Sequence, residues 1–79
     1  MVTAYTLARV LPSMDRKVSE EVIKLEPVKE VILTYGEFDL IIKIDVNTLD
    51  DLDTFVFNKL RAIEGIAATT TLIEAKPKE

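Results

Sequence analysis

Apolar residues recur along this chain at two different spacings, which predicts both strands and helices. Val2–Val10 is rich in Thr, Tyr and Val and lacks Gly and Pro, so we expect a first strand there. A helix of about three turns should follow, with Ser13 as its N-cap and an end before Pro27, which disfavours the α region for its predecessor. The apolar stripe of this helix, at spacings of four and three, consists of Met14, Val18, Val22 and Leu25.

The central stretch Val28–Val46 predicts a β-hairpin. Two runs rich in Val, Ile and aromatic residues flank Gly36 and Glu37, and Gly at the first position of a two-residue loop suits a type II′ turn. A one-residue slip would move every side chain to the other face, so the register decides which residues share a surface. The predicted cross-strand pairs are Tyr35 with Phe38, Thr34 with Asp39, Leu33 with Leu40, Ile32 with Ile41, Val31 with Ile42 and Glu30 with Lys43.

The two faces of this hairpin differ in polarity. One face mixes Val28 and charged residues with two isoleucines, Ile32 and Ile41, which lie side by side. Scattered surface aliphatics are one interpretation of this pair, and a face covered by a partner is the other. We favour the second interpretation and expect Ile32 and Ile41 at a dimer interface. The opposite face is apolar enough to lie under helices and carries Val31, Leu33, Tyr35, Phe38, Leu40, Ile42, Ile44 and Val46.

A cluster of acidic residues follows the hairpin, between Asp45 and Asp53. It does not match an EF-hand calcium loop, because Asp50 occupies the position that needs Gly and no matching distal Glu exists. Acidic residues in the first turn of a helix, capped by Asn47 or Thr48, are the simpler interpretation.

A second helix should extend from this cluster to about Ile63. Gly65 follows as a C-terminal stop, and Ile66–Ala75 suits a last strand because of its run of threonines. Residues 76–79 are expected to form a frayed tail, so the predicted domain spans residues 1–75. The apolar stripe of the second helix consists of Leu49, Leu52, Val56, Leu60 and Ile63, with Phe55 and Phe57 on either side.

The predicted order of elements is strand, helix, strand, strand, helix, strand. Short connections and right-handed crossovers bring the first and third strands to the middle of the sheet. The result is an α+β fold, the ferredoxin-like βαββαβ plait with antiparallel strand order 4-1-3-2. Both helices should cover one face of the sheet and leave open the face that bears Ile32 and Ile41.

Composition narrows the range of functions. A chain of 79 residues, 48% hydrophobic and 30% charged, is near the size at which one core is only marginally sufficient, so oligomerisation would stabilise it. The chain contains no Cys and no His. The commonest general base, the thiolate nucleophile and the commonest metal ligands are therefore missing, and we expect no catalytic residues, no metal site and no cofactor.

Charge and hydropathy argue against two further classes of protein. The formal net charge of -4 and the pI near 4.8 disfavour a chain that wraps nucleic acid, whose phosphates require a basic patch. The amino terminus lacks a positively charged segment before an apolar core, and no apolar run approaches the ~20 residues of a membrane span. These features predict a cytoplasmic protein that does not contact membranes.

Four segments of the chain are similar to one protein family. Of these, Tyr35–Lys43 (YGEFDLIIK) is the most specific, because a tight turn followed by Asp on an otherwise apolar strand is uncommon. Over nearly its whole length the chain resembles the effector-binding domain, or RAM domain, of the Lrp/AsnC transcription regulators. The other segments are Tyr5–Pro12 (YTLARVLP), Pro27–Val31 (PVKEV) and Ile63–Thr71 (IEGIAATTT), which runs into Leu72 and Ile73.

The resemblance implies a mode of assembly and a class of ligand. Members of the family dimerise through their sheets, in the dimeric α/β-barrel manner, and often assemble into rings of dimers. Their ligands are amino acids held at contacts between subunits. The usual regulators carry an N-terminal helix-turn-helix domain, whereas this chain begins at the first strand of the plait. We therefore expect a stand-alone RAM protein without direct DNA binding, for which a full-length Lrp/AsnC regulator is a candidate partner.

The resemblance also implies an effector site around the predicted turn and the last strand, at an oligomer contact. A free amino acid needs N–H or hydroxyl donors for its carboxylate and a carboxylate for its ammonium. A purely structural interpretation stays open, since Gly36 suits a turn, Asp39 lies opposite Thr34, and threonines are common in strands. The candidate ligand-binding residues are Gly36, Glu37, Asp39, Thr69 and Thr71.

Three functions remain in competition. The leading one is a non-enzymatic, oligomeric sensor of an amino-acid-like effector that modulates Lrp/AsnC-type transcription regulation or amino acid metabolism. The alternative is a small dimeric α/β-barrel enzyme acting on a small metabolite, which the lack of His and Cys disfavours. RNA-recognition motifs share the topology but display aromatic and basic residues on the open face, whereas the third strand displays Asp39, Ile41, Lys43 and Asp45 there.

Overall fold

The computed structural model describes residues 1–75. Residues 76–79, for which the sequence predicts a frayed tail, lie outside the described residues. The elements are β1 (Val2–Val10), α1 (Asp15–Val22), β2 (Val28–Leu33), β3 (Leu40–Val46), α2 (Leu49–Phe55), which continues as a π-helical segment (Val56–Leu60), and β4 (Ile66–Ile73).

All four strands form one antiparallel sheet in the order β2-β3-β1-β4. Read from the opposite edge, this is the predicted order 4-1-3-2, and the ferredoxin-like plait is confirmed. β1 and β3 lie in the middle of the sheet, while β2 and β4 form its edges. Within residues 1–75, no helix is long and apolar enough to cross a membrane.

The core lies between the helices and one face of the sheet. Strand side chains alternate between faces, so every second residue of β1 and β3 points toward the helices. In β1 these are the small residues Ala4, Thr6 and Ala8, all of which are fully buried. Their size leaves room for the larger side chains of the helices. The buried hydrophobic residues are Ala4, Ala8, Val18, Val22, Val28, Leu40, Ile42, Ile44, Leu52, Phe55 and Leu60.

The register of the β2–β3 hairpin agrees with the prediction, but only as far as Glu30. Glu30 lies opposite Lys43 as expected, and the register then shifts, so that Val28 pairs with Ile44. This bulge turns Val28 toward the helices, where it is only 7% exposed. The prediction that Val28 lies on the open face is therefore wrong. The confirmed pairs are Glu30 with Lys43, Val31 with Ile42, Ile32 with Ile41 and Leu33 with Leu40.

The connection between β2 and β3 is longer than the predicted two-residue turn. Residues 34–39 form a loop, hereafter the hairpin loop, and Tyr35 and Phe38 are not paired. Thr34 closes the neck of this loop: its N–H donates to the Asp39 carbonyl at 2.9 Å and its hydroxyl donates to the Phe38 carbonyl at 2.7 Å. Tyr35 is fully exposed at the tip, so its predicted place on the core face is wrong.

The predicted N-cap is wrong for the first helix and right for the second. Ser13 adopts a positive φ of 69°, and the N-cap of α1 is Met14, which makes no side-chain capping bond. α1 has eight residues and ends at Val22, well before Pro27. The predicted cap of α2 is confirmed, since the Asp51 N–H donates to the Thr48 hydroxyl at 3.0 Å.

The second helix keeps most of its predicted apolar stripe. Leu52 is buried, and Val56 and Ile63 are partly buried against the core. Leu60 stays buried, whereas Phe57 is 61% exposed. Leu49 in the first turn of α2 and Leu33 at the end of the edge strand β2 are also about half exposed, contrary to the prediction.

Gly65 has a second role besides ending the helical region. Its φ is +105°, and a Cβ atom at this position would lie 2.8 Å from Val18 Cγ2 and 2.9 Å from Met14 Cε. Its carbonyl also accepts a hydrogen bond from the Leu11 N–H at 2.8 Å. The chain therefore passes α1 at a distance that only glycine permits without displacement.

Candidate functional site

Asp39 connects the hairpin loop to the end of β1. Its N–H donates to the Ala8 carbonyl at 2.8 Å, and its Oδ2 accepts from the Val10 N–H at 2.9 Å. The β1–β4 register shifts between Arg9 and Val10, which is where this carboxylate supplies an acceptor. One carboxylate oxygen of Asp39 is thus committed within the chain, and Oδ1 makes no hydrogen bond with the described residues.

Gly36 and Glu37 lie at the exposed end of the hairpin loop. Glu37 forms an ion pair with Arg9 at 3.3 Å, with both side chains at least half exposed, so the pair stabilises the fold by at most about 1 kcal/mol. The Arg9 guanidinium also lies 5.6 Å from the centre of the Phe38 ring. Gly36 has a φ of +109°, and no atom lies within 4 Å of where its Cβ would be. The backbone here is open to a ligand or a partner.

Thr69 and Thr71 face the helices rather than the open face. They pair with Ala8 and Thr6, which are buried on that side of the sheet. The hydroxyls of Thr6 and Thr71 are 2.8 Å apart and share a hydrogen bond. Thr69 and Thr71 therefore share one side of β4, as the alternation of side chains along a strand requires.

The two threonines line a groove between β4 and the second helix, hereafter the α2–β4 groove. Its volume is about 330 Å³, near the lower end of the range for small-molecule sites. It combines apolar walls, two hydroxyls, one acidic and one basic side chain. The lining residues are Leu52, Asp53, Val56, Phe57, Arg61, Thr69, Thr71 and Ile73.

The hairpin loop and the α2–β4 groove do not meet within one chain. Thr69 pairs with Ala8 of β1, and Ala8 pairs with Leu40 of β3, so two interstrand spacings, about 10 Å, separate Thr69 from the start of β3. None of the three main cavities among residues 1–75 is lined by both regions. The five candidate residues therefore form two groups in the protomer.

Asp53, Phe57 and Arg61 line the groove but were not among the predicted site residues. The Arg61 guanidinium lies 5.2 Å from the centre of the Phe57 ring, a cation–π geometry. These three residues are spaced four apart in sequence, which is the spacing of neighbours on one helix face. This spacing is the signal that could have identified them.

A larger depression, of about 440 Å³, lies where β3 ends and α2 begins. Its charged lining residues are Glu26, Lys29, Asp45 and Asp51, and Asp45 already accepts a hydrogen bond from the Thr3 hydroxyl at 2.7 Å. None of the predicted ligand-binding residues lines it.

The open face of the sheet carries an apolar band. Ile32 and Ile41 are cross-strand neighbours, as predicted, and Leu7 continues their row on the other side of Ile41. In the adjacent row Tyr5 of β1 pairs with Leu72 of β4. Ile32 is 44% and Leu72 is 53% exposed. The hairpin sequence indicated only the two isoleucines, because the other members come from strands distant in sequence.

The fold is a small α+β plait with one open sheet face and a groove between β4 and the second helix. Residues 3–77 match the Lrp/AsnC ligand binding domain, and this chain belongs to that family. α1 and α2 are separated by the β2–β3 hairpin, so they do not form a helix-turn-helix pair within residues 1–75.

Two relatives illustrate the similarity, of which one is a curated protein and the other a solved structure. The uncharacterized HTH-type transcriptional regulator PH1916 from Pyrococcus horikoshii is 34% identical over 74 residues, which cover 90% of this chain and 49% of that protein. The crystal structure of FFRP-DM1 is 40% identical with a TM-score of 0.91, covering 95% of this chain and 100% of that chain. This chain spans about half of the length of the curated relatives it matches.

A more distant structure shares the fold. The transcriptional regulator NMB0573 from Neisseria meningitidis, solved as an L-Met complex, is 16% identical with a TM-score of 0.87 and covers 99% of this chain and 52% of that chain. The family match and the curated relatives, and not this distant structure, make the chain an Lrp/AsnC ligand-binding domain related to transcriptional regulators.

Proposed function

We propose that this chain is a non-enzymatic sensor that binds a small amino-acid-like effector and conveys its presence through oligomeric assembly. The observation that carries this proposal is the α2–β4 groove, which has the volume of a small-molecule site and is lined by Thr69 and Thr71. The L-Met complex of the distant relative NMB0573 supports an amino acid as the class of effector.

We further propose that the effector site is completed at a contact between two copies of the chain. The hairpin loop and the threonines are too far apart in one chain for a single amino acid to touch both. A second copy would bring its hairpin loop, with Gly36, Glu37 and Asp39, over the groove of the first. Glu37 and the Oδ1 atom of Asp39 would then accept from some of the three N–H donors of the ligand ammonium, which leaves a donor for an acceptor in the groove itself.

The proposed assembly begins with a homodimer formed through the open face, as expected for Ile32 and Ile41. The apolar band extends over all four strands through Tyr5, Leu7 and Leu72. Burying it would stabilise a chain of 79 residues, whose single core is small. Such dimers would combine into higher oligomers at the effector contacts.

We propose that the chain influences transcription indirectly, through a partner protein. A net charge of -4 disfavours direct binding to duplex DNA, whose phosphates attract basic surfaces. A full-length Lrp/AsnC-type regulator, in the cytoplasm, is the partner we propose, and regulation of transcription or amino acid metabolism is the consequence. The enzyme alternative has no support among the curated relatives reported above, which are named as HTH-type transcriptional regulators.

The test is isothermal titration of the purified chain with each of the twenty amino acids, combined with light scattering with and without ligand. We expect saturable binding of at least one amino acid and a change in oligomer mass or in its concentration dependence. Absence of binding to all of them would contradict the proposal. Binding that leaves the assembly unchanged would contradict the proposed means of signalling but not the sensor function.

A further inference from the structure

The α2–β4 groove presents opposite charges to one small space. Resting on the function proposed above, we infer that Arg61 and Asp53 hold the carboxylate and the ammonium of the effector, and that the effector is an amino acid with an apolar side chain. Neither residue belongs to the site indicated by the sequence, which consisted of the hairpin loop and the threonines.

Arg61 supplies the positive charge of the groove. Its guanidinium lies over the Phe57 ring, 5.2 Å from the centre, and this contact restricts the side chain. A planar guanidinium donates two parallel hydrogen bonds to a carboxylate, so a partly immobilised one loses less entropy on binding. In the described part of the chain the one ion pair joins Arg9 and Glu37, and Arg61 is not engaged by it.

Asp53 supplies the opposite charge in the same groove. It lies two helical turns before Arg61 in sequence, lines the same groove, and forms no ion pair with the described residues. A carboxylate accepts hydrogen bonds from an ammonium and rejects a second carboxylate. The groove is therefore complementary to a zwitterion, which carries both charges on one carbon.

The threonine hydroxyls add directional contacts next to these charges. Thr71 shares one hydrogen bond with Thr6, and a hydroxyl has one donor and two acceptor positions. Thr71 therefore keeps capacity for a ligand after satisfying the buried Thr6. Thr69 lies two residues before Thr71, on the same side of β4.

The other lining residues of the groove indicate which class of effector side chain it accepts. Leu52, Val56, Phe57 and Ile73 line the groove, and Phe57 and Ile73 are more than half exposed. Covering such surfaces with an apolar side chain removes them from water, whereas a charged side chain would lose hydration without a partner. Leucine and methionine have the size and polarity that this groove accepts.

The experiment is titration of the whole chain with L-leucine, L-methionine, L-lysine and L-glutamate, followed by titration of Arg61→Gln and Asp53→Asn. We expect leucine or methionine to bind in preference to lysine and glutamate, and each variant to bind roughly tenfold to a hundredfold more weakly, since each loses a charge-assisted hydrogen bond. Arg61→Lys should fall between the parent and Arg61→Gln. Matched controls are Arg16→Gln and Asp15→Asn, exposed on α1 and outside the groove.

Two truncated ligands test separately which residue binds the carboxylate and which binds the ammonium. 4-Methylpentanoate is leucine without its ammonium, so Asp53→Asn should not weaken its binding, whereas Arg61→Gln should. For 3-methylbutylamine, which lacks the carboxylate, the order should be reversed. If the parent binds leucine or methionine and both groove variants match their controls, the inference is wrong while the sensor function stands. Preference of the parent for lysine or glutamate has the same consequence, and no binding of any amino acid by the parent overturns both.

Discussion

The backbone N–H of Val10 donates to the Asp39 carboxylate at 2.9 Å, which links the hairpin loop to the last residue of β1. This bond gives Asp39 a structural role besides any contact with a ligand. A substitution at this position therefore has to separate the two roles.

Asp39→Ala should lower the free energy of unfolding by about 1–2 kcal/mol, because the part-buried Val10 N–H loses its acceptor. Asp39→Asn retains an acceptor oxygen and should lose less than half as much. Urea denaturation at one fixed protomer concentration measures both, since oligomerisation contributes to stability. If Asp39→Asn is stable but binds amino acids weakly, Asp39 acts through its charge; equal destabilisation by both variants would contradict the structural role.

Ile41→Glu should convert the oligomer to monomer or unfold the chain. The change introduces a carboxylate into the centre of the apolar band, at a cost of several kcal/mol if the open face is covered by a partner. Light scattering at micromolar concentration reports the mass. Leu49→Glu is the matched control, because Leu49 is exposed in the first turn of α2, where an acidic residue is tolerated. A monomeric parent protein under these conditions would rule out the sheet-to-sheet dimer.

Gly65→Ala should lower the free energy of unfolding more than Gly36→Ala. Both glycines have a positive φ, which costs an L-residue about 1 kcal/mol. Only at Gly65 would the new Cβ also approach Val18 Cγ2 at 2.8 Å, which adds about 1–3 kcal/mol of overpacking. Parallel thermal and urea unfolding of the two variants tests this difference. Equal stability would mean that Met14 and Val18 move aside without cost.

Thr71→Val should destabilise the chain by about 1–2 kcal/mol, because the buried Thr6 hydroxyl loses its hydrogen-bond partner. The double variant Thr6→Val, Thr71→Val removes both hydroxyls and should recover part of this loss. A double-mutant cycle by urea denaturation measures the coupling. Additive effects would show that the shared hydrogen bond contributes nothing to stability.

Duplex DNA should not bind tightly to this 79-residue chain, because its net charge of -4 disfavours contact with phosphates. Fluorescence anisotropy with a labelled duplex at two salt concentrations is a suitable measurement. Submicromolar binding that weakens steeply with salt would contradict the prediction. Mixing with a full-length family member provides the positive arm, since a mixed assembly should change the anisotropy that this regulator gives with the same DNA on its own.

Much of the plait can be read from local spacing. The period of two in β3 predicts that Leu40, Ile42 and Ile44 are buried, as they are. The pairing of Glu30 with Lys43 and the order of the strands follow from that pattern and from short connections. The side shared by Thr69 and Thr71 follows in the same way, because alternation is a property of one strand.

Other features depend on contacts between residues far apart in sequence. The bulge that turns Val28 inward, the exposure of Phe57 and the bond from Val10 to Asp39 result from packing and hydrogen bonding across elements. The α2–β4 groove likewise exists only once Asp53 and Arg61 of the second helical region lie beside Thr71 of β4. Spacing along a chain encodes the face of each element, whereas the neighbours of that face are set by how the elements pack, and so the groove and the full apolar band emerge only in the folded chain.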